Sequence, residues 1–344
     1  PSAEYETNNT IKNVGLFDLT PFSKFEIKSD KAHKELQKIC TANVKNESGK
    51  CVYTHMLNSD GGIEIDLTVV CIDKDHFRMI SPAATRERDK FHIKKHLAKD
   101  VELKDVTDDF CVFGVFGPKS RSLMKSISKD NFENNYFRFS TAKYITIEGV
   151  KIWTQRLSYV GELGYELYVK SKDSKKIYEL LVNKGKDFNI SNCGMHAMDI
   201  MRMESGFLHW GNDISPEENQ YQAGLSFTLS FKKMDEFIGK KALEKIKKEK
   251  IKSRFAMFTL KDSKPGEPLL LHDEPIYLEN KMIGRSTSGN YSFNFKKNLA
   301  FGYINNDISN DELHKKDLFI EVEKKKYSIE LINKPLKQTN FKNS

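Results

Sequence analysis

Residues 61–70 read GGIEIDLTVV. The alternation describes a strand with two unlike faces, because successive side chains on a strand point to opposite sides. Ile63, Ile65, Leu67 and Val69 share one face, and Glu64, Asp66 and Thr68 share the other. The run then turns apolar throughout (VVCI), so its far half is expected to be buried on both sides. A carboxyl placed beside such a run is costly unless it is paired or used. Asp66 is therefore read as either a satisfied structural acid or a functional one.

Other segments place this strand in an α+β chain. Residues 24–28 (KFEIK) and 76–81 (HFRMIS) read as strands, and CVYTHML pairs with IEIDLTVVCI around the turn NSDGG. Residues 109–118 form a buried strand closed by Gly-Pro, and KYITIEGVKIWTQRLSYV holds two strands around Glu148-Gly149. Helical spacing is expected at 31–40, 86–98, in KSRSLMKSIS, at 173–188 with Asp173 as cap, and at 197–206 with a glycine stop. The last ninety or so residues change texture. Short alternating pieces separated by turns (RFAMFTL, PIYLE, LAFGYI, LFIEVEKKKYSIEL) predict a small antiparallel barrel. The boundary is expected near residues 235–255, giving a first region of 1–235 with two interleaved α+β subdomains and a barrel domain of 236–344.

At 344 residues the chain is long enough for two or three domains of roughly 100–200 residues each. No apolar run approaches the roughly 20 residues of a membrane-spanning helix, so a soluble chain without membrane contact is expected. Five scattered cysteines without a CxxC pair argue against a disulfide framework or a zinc site, and suit a reducing compartment, cytoplasmic or, in a eukaryote, the mitochondrial matrix. The formal net charge of +8 is spread along the chain. Its one dense run, KKALEKIKKEKIK, has helical spacing and reads as a solvated lysine face, so no nucleic-acid partner is expected. Neither GxGxxG nor GxxxxGK[ST] provides a nucleotide seat.

Three further stretches carry candidate chemistry. RLSYVGELGYEL (156–167) parses as a strand to Val160, a turn at Gly161–Gly164, and a second strand on which Glu166 and Tyr168 share one face. By periodicity alone Glu166 is an ordinary solvated glutamate. AMDIMRMESGFLHWGNDISPE sets Asp199, Arg202 and Glu204 among methionines, followed by a loop with His209, Trp210 and Asp213. Arg202 either anchors a ligand carboxylate or pairs with Asp199 or Glu204. HIKKH puts His92 and His96 at i, i+4 but lacks a glutamate and is not read as a metal site, so no metal is expected.

In order, VGLFDLTPFSKFEI, MLNSDGGIEIDLTV, FGVFGPKSR, RLSYVGELGYELYV, MDIMRMESG, GNDI, QAGLSF, FIGKKAL and STSGNYS…LAFGYI resemble the aminomethyltransferase (glycine-cleavage T-protein) family from about Val14 to the end. DLTPFSKFEI, RLSYVGELGYEL and FLHWGNDISPE look most like the folate-binding C-terminal part of dimethylglycine and sarcosine dehydrogenases. The chain then reads as a piece of a longer dehydrogenase or as a stand-alone relative. Met198 and Gln222 stand where T-proteins carry arginine and glutamate, and the missing arginine argues against a lipoyl-linked glycine-cleavage role.

The resemblance implies tetrahydrofolate as cofactor, with FAD only on an upstream domain or a flavoprotein partner. Asp66 falls on the family's catalytic aspartate, and Tyr159 and Glu166 on its pterin contacts. Arg202 and Trp210 complete the implied folate site, the neighbouring glycines would let ligand and backbone approach, and Glu162 would be solvated. The implied reaction traps a one-carbon unit from an N-methyl amine, as iminium or formaldehyde, in 5,10-methylenetetrahydrofolate. The alternatives are a folate-dependent demethylase acting on a sulfonium or methoxy donor, and a non-catalytic folate-binding module. The regulatory relatives of that last kind carry a KGCYxGQE motif, which is absent here.

Overall fold

A computed structural model describes residues 2–233, 236–338 and 341–344. In chain order its elements are α1 (Ser2–Lys12), β1 (Val14–Asp18), β2 (Ser23–Lys28), α2 (Ala32–Ile39), β3 (Cys51–Leu57), β4 (Ile63–Asp73), β5 (His76–Ser81), α3 (Arg86–His96), β6 (Leu103–Asp105), β7 (Phe110–Phe116), α4 (Ser120–Ile127), β8 (Thr141–Ile147), β9 (Val150–Arg156), β10 (Gly164–Lys170), α5 (Ser174–Gly185), β11 (Ile190–Cys193) and α6 (Met195–Glu204). There follow α7 (Lys240–Lys248), β12 (Ser253–Leu260), β13 (Pro275–Leu278), β14 (Lys281–Ser292), β15 (Lys297–Asn305), α8 (Asn310–Lys315), β16 (Leu318–Val322) and β17 (Lys325–Ile332). Residue 235, where the sequence ends the first region, lies outside the described residues. The N-terminal helix α1 has no counterpart in the sequence expectations; its weakly amphipathic, polar run (SAEYETNNTIK) carries little periodic signal.

Two sheets form the first two thirds. One has the order β11-β1-β7-β10-β9-β8, and the other β3-β4-β5-β2-β6. The chain enters the first sheet with β1, builds the whole second sheet, and returns with β7, so the two halves interleave. Each sheet is covered on its outer face by helices. Leu36 and Ile39 of α2 and Ile93 of α3 pack on Ile65, Leu67 and Val69. Leu123 of α4 and Ile177 and Leu181 of α5 pack on Val115, Tyr165, Leu167 and Val169. The i, i+4 spacing of Ile177 and Leu181 puts both on the buried stripe of α5. Asp173 stands at the start of α5 without a capping hydrogen bond from its side chain; a short 3₁₀ turn over Ser171–Asp173 leads into the helix instead.

The inner faces of the sheets meet each other. Cys51, Val70 and Ile72 from the second sheet share one core with Val112, Phe116, Trp153 and Tyr168 from the first, joined by Ala197, Met198 and Met201 of α6. Parity explains the arrangement: the odd residues of β4 pack under α2 and α3, and the even ones face the other sheet. The strand expected to be buried on both sides is so from Val69 to Ile72.

The C-terminal strands close into a six-stranded barrel, β12-β15-β14-β13-β16-β17, as their short alternating runs predict. The barrel has its own core around Phe258, Ile276, Ile304 and Ile320. It docks on α6 through Met203, Leu299 and Phe301. The lysine run forms α7, which buries only Leu243 fully and keeps its lysines outward. Among the described residues no helix is long and apolar enough to cross a membrane.

Candidate functional site

Asp66 sits in the middle of β4, directly opposite His55 of β3. The register is set by a bulge between Met56 and Leu57, which shifts the hairpin by one residue past the turn. His55 is fully buried, and its Nε2 lies 3.6 Å from Asp66 Oδ1. Burial holds the Asp66 carboxyl up at about 7; the nearby Asp89 adds to this, and a hydrogen bond from Tyr53 opposes it. Asp89, buried at the first turn of α3, accepts from Ser81 and Thr85 hydroxyls at 2.7 Å each. Its pKa is likewise raised, to about 6, chiefly by burial.

Glu166 lies on β10 opposite Gln155 of β9. Paired residues of neighbouring strands project on the same side, so both side chains belong to the inner face of the first sheet, beside Tyr168. The Tyr168 hydroxyl donates to Glu166 Oε2 at 3.2 Å. Burial pushes the Glu166 carboxyl to about 7, against that hydrogen bond. Gln155 is wholly buried, and neither atom of its amide has a hydrogen-bond partner among the described residues. A buried amide left so is rare enough to point to a ligand or an ordered water.

Tyr159 lies in the loop between β9 and β10. Its hydroxyl donates to the Leu208 carbonyl at 3.0 Å, and its ring stacks on Phe207 at 6.2 Å between centroids and 17° between planes. Trp210 donates its indole N–H to the Ile63 carbonyl at 3.0 Å, which ties the loop after α6 to the start of β4. The Arg88 guanidinium lies 4.7 Å from the Trp210 ring centre and also pairs with Glu64. Tyr159 thus lies close enough to Asp66 for their charges to interact, Glu166 lies near Cys51 on the inner side of the second sheet, and Trp210 ties the loop after α6 to β4.

Arg202 takes the second of the two roles its sequence allowed. It is fully buried and its donors are engaged: Nε with Asp199 at 2.7 Å, Nη1 with Asp213 at 2.5 Å and the Phe207 carbonyl at 3.0 Å, and Nη2 with Ser288 at 2.9 Å. It braces α6 against the barrel beneath the site. Two other expectations are corrected. Glu162 is not solvated: it is 8% exposed and paired with Lys337 at 2.6 Å, because the segment after the barrel folds back over the loop. The glycines of that loop serve packing. A Cβ on Gly161 would fall 2.0 Å from Ser205 Oγ, and one on Gly164 2.0 Å from the Phe116 ring. Gly161 also has a φ of +68°, which glycine adopts without strain.

His55, Tyr53, Gln155 and Thr228 escaped the sequence reading. Tyr53 and His55 alternate on CVYTHML, so strand parity puts them on one face; only the hairpin register shows that this face carries Asp66. The His92 and His96 rings lie 4.5 Å apart on α3, tilted by 56°, and among the described residues no group of three His, Cys, Asp or Glu side chains is arranged to hold a metal.

Comparison with known proteins agrees with this architecture. Residues 1–233 match the GCVT N-terminal domain and residues 254–337 the glycine cleavage T-protein C-terminal barrel domain. The chain belongs to the glycine cleavage T-protein family of folate-dependent aminomethyltransferases. It is 32% identical to dimethylglycine dehydrogenase of Rattus norvegicus over 96% of this chain and 38% of that protein. To 4-methylaminobutanoate oxidase (formaldehyde-forming) of Paenarthrobacter nicotinovorans it is 34% identical over 86% of this chain and 36% of that one. To an aminomethyltransferase of Halothermothrix orenii it is 32% identical over 88% and 83%. The chain therefore spans less than two fifths of the dehydrogenase and oxidase relatives. The crystal structure of aminomethyltransferase T from Bartonella henselae matches the fold with a TM-score of 0.85 over 97% of this chain and 89% of that one, at 20% identity.

Proposed function

We propose that the chain transfers a one-carbon unit to tetrahydrofolate, trapping the iminium or formaldehyde left by oxidation of an N-methyl amine as 5,10-methylenetetrahydrofolate. It would do so as part of, or beside, a flavoprotein of the dimethylglycine or sarcosine dehydrogenase kind, with FAD held there. The observation that carries this reading is the pair Asp66 and Glu166. These carboxyls come from the two sheets whose inner faces meet, and both are held near a pKa of about 7. Groups poised near neutrality are suited to proton transfer and to binding donors whose charge changes. The first region is assigned to residues 1–235 and the barrel to 236–344.

The residues present fit a pterin. Glu166 supplies an acceptor for ring and amino N–H groups, and the unpartnered amide of Gln155 beside it has both a donor and an acceptor to offer. The Tyr159 ring, fixed by Leu208 and Phe207, offers an aromatic face. Bound tetrahydrofolate would supply the amine nitrogens that take up the one-carbon unit. The chain would hold it by Glu166, flank it with Tyr159, and keep a proton at Asp66. Holding both reactants in one orientation contributes up to about 7–11 kcal/mol to such reactions.

A calorimetric titration of the chain with tetrahydrofolate under reducing conditions tests the reading, beside a Glu166→Ala variant. Saturable binding lost in the variant supports it, and no binding by the intact chain sinks it. With a donor added, 5-methyltetrahydrofolate in place of the 5,10-methylene product would select the demethylase reaction.

A further inference from the structure

His55 Nε2 and Asp66 Oδ1 face each other at 3.6 Å, both buried and both without a hydrogen-bond partner among the described residues. That separation is just outside hydrogen-bond range. The other ring nitrogen, Nδ1, lies 3.1 Å from Thr228 Oγ1. The Thr228 hydroxyl has a single proton and donates it to the Leu225 carbonyl at 2.7 Å. Toward His55 the oxygen is then an acceptor, so Nδ1 carries the hydrogen. Burial keeps the imidazole neutral, with its pKa lowered to about 3. A neutral ring protonated at Nδ1 presents a bare lone pair at Nε2, and that lone pair points at Asp66.

We propose that Thr228 locks His55 in its Nδ1–H tautomer and thereby keeps the Asp66 carboxyl protonated, making Asp66 a proton donor rather than a base in the resting protein. An ionised Asp66 would set a carboxylate against a lone pair in a buried place. A protonated one gains an O–H···N bond by closing about 0.8 Å from the 3.6 Å separation. Of the other titratable groups around Asp66, Asp89 favours the protonated carboxyl and the Tyr53 hydroxyl opposes it, with burial outweighing that opposition. Tyr53 on β3 donates a hydrogen bond, Asp89 on α3 adds negative charge, and Tyr159 after β9 is itself held protonated by burial; no cation is among them. His55 and Thr228 are positioning residues, acting through Asp66. The use of the proton in one-carbon transfer rests on the function proposed above; the tautomer and the proton's location do not.

The test uses the whole chain without folate. Histidines labelled with ¹⁵N report the tautomer of His55, assigned by its absence in His55→Gln. Aspartates labelled with ¹³C at the carboxyl report the titration of Asp66, assigned by Asp66→Asn. The expected result is an Nδ1–H His55 and an Asp66 midpoint near pH 7. Thr228→Val removes the acceptor, so the ring turns to its Nε2–H form, donates to Asp66, and lowers that midpoint by about one pH unit or more. Thr228→Ser keeps the hydroxyl and the wild-type midpoint. An Nε2–H His55 in the wild type overturns the proposal whether or not the valine variant folds. So does a folded Thr228→Val chain whose Asp66 midpoint stays put. Loss of folate binding with the tautomer as stated would sink the proposed function and leave this inference standing.

Discussion

Arg202 and Asp213 form an ion pair at 2.5 Å in which both side chains are inaccessible to solvent. It is the bolt between α6 and the barrel. Asp213 also accepts from the Thr287 and Ser288 hydroxyls of β14 at 2.6 and 2.8 Å and from the His209 amide at 2.9 Å. Its backbone carbonyl accepts from the Tyr303 hydroxyl at 2.8 Å. The guanidinium thus fixes the loop that carries Trp210 without touching the site's open side.

Removing one partner of such a pair leaves an uncompensated buried charge. Arg202→Met is expected to cost about 3–5 kcal/mol of stability, read as a lowered urea midpoint. An Arg202→Met/Asp213→Leu double variant should recover part of the loss. A single variant within about 0.5 kcal/mol of wild type would contradict the structural role assigned to Arg202.

The contributions of Asp66 and Glu166 to stability should fall as pH rises from about 4 to 7. In the unfolded chain Asp66 and Glu166 ionise in the ordinary carboxylate range near pH 4, whereas in the fold both stay protonated until about 7. Between those values these two carboxyls hold more protons in the folded chain than in the unfolded one, so the stability they contribute falls with increasing pH. Replacing either acid by its amide removes that acid's share of the dependence. Asp66→Asn and Glu166→Gln are each expected to raise stability at pH 8, by up to about 4 kcal/mol, and to change little at pH 4. Thermal melts at the two pH values decide it; equal effects at both would refute the raised pKa values.

Gln155 allows a clean separation of fold from ligand. Its amide lacks partners in the protein, so Gln155→Leu is expected to be neutral or stabilising in the free chain. The same change should weaken tetrahydrofolate binding by about 1–3 kcal/mol if the ligand satisfies that amide. Paired melting and calorimetry give both numbers, and undiminished affinity would remove Gln155 from the site.

Lys337 holds the loop between β9 and β10 closed, pairing with Glu162 at 2.6 Å and donating to the Val160 carbonyl at 3.1 Å. Lys337→Met is expected to destabilise by about 3 kcal/mol, since Glu162 is then buried alone. Adding Glu162→Gln should restore a good part of it. If the two changes are simply additive, the pair carries no coupling.

The alternation in IEIDLTVV was enough to place Asp66 on a strand face apart from the apolar one, and the short alternating runs of the last ninety residues were enough for a barrel. These features are local, because strand parity and turn chemistry act over a few residues. Arg202 and Glu162 show where that reach ends. Each is a charged residue in an unremarkable local setting, and a partner that buries it arrives from far along the chain: Ser288 for one, Lys337 for the other.

His55 marks the same division inside the site. Pairing β3 with β4 outward from their turn without a bulge would set Thr54 opposite Asp66. The irregularity at Met56 and Leu57 shifts the register by one and puts His55 there instead. The sequence by itself determined which residues form strands, which faces are apolar, and that a carboxyl would stand at position 66. The tertiary structure alone decided which groups surround it. Register slips, the docking of Thr228 on His55, and the return of the chain over the loop depend on packing between segments that no local pattern encodes.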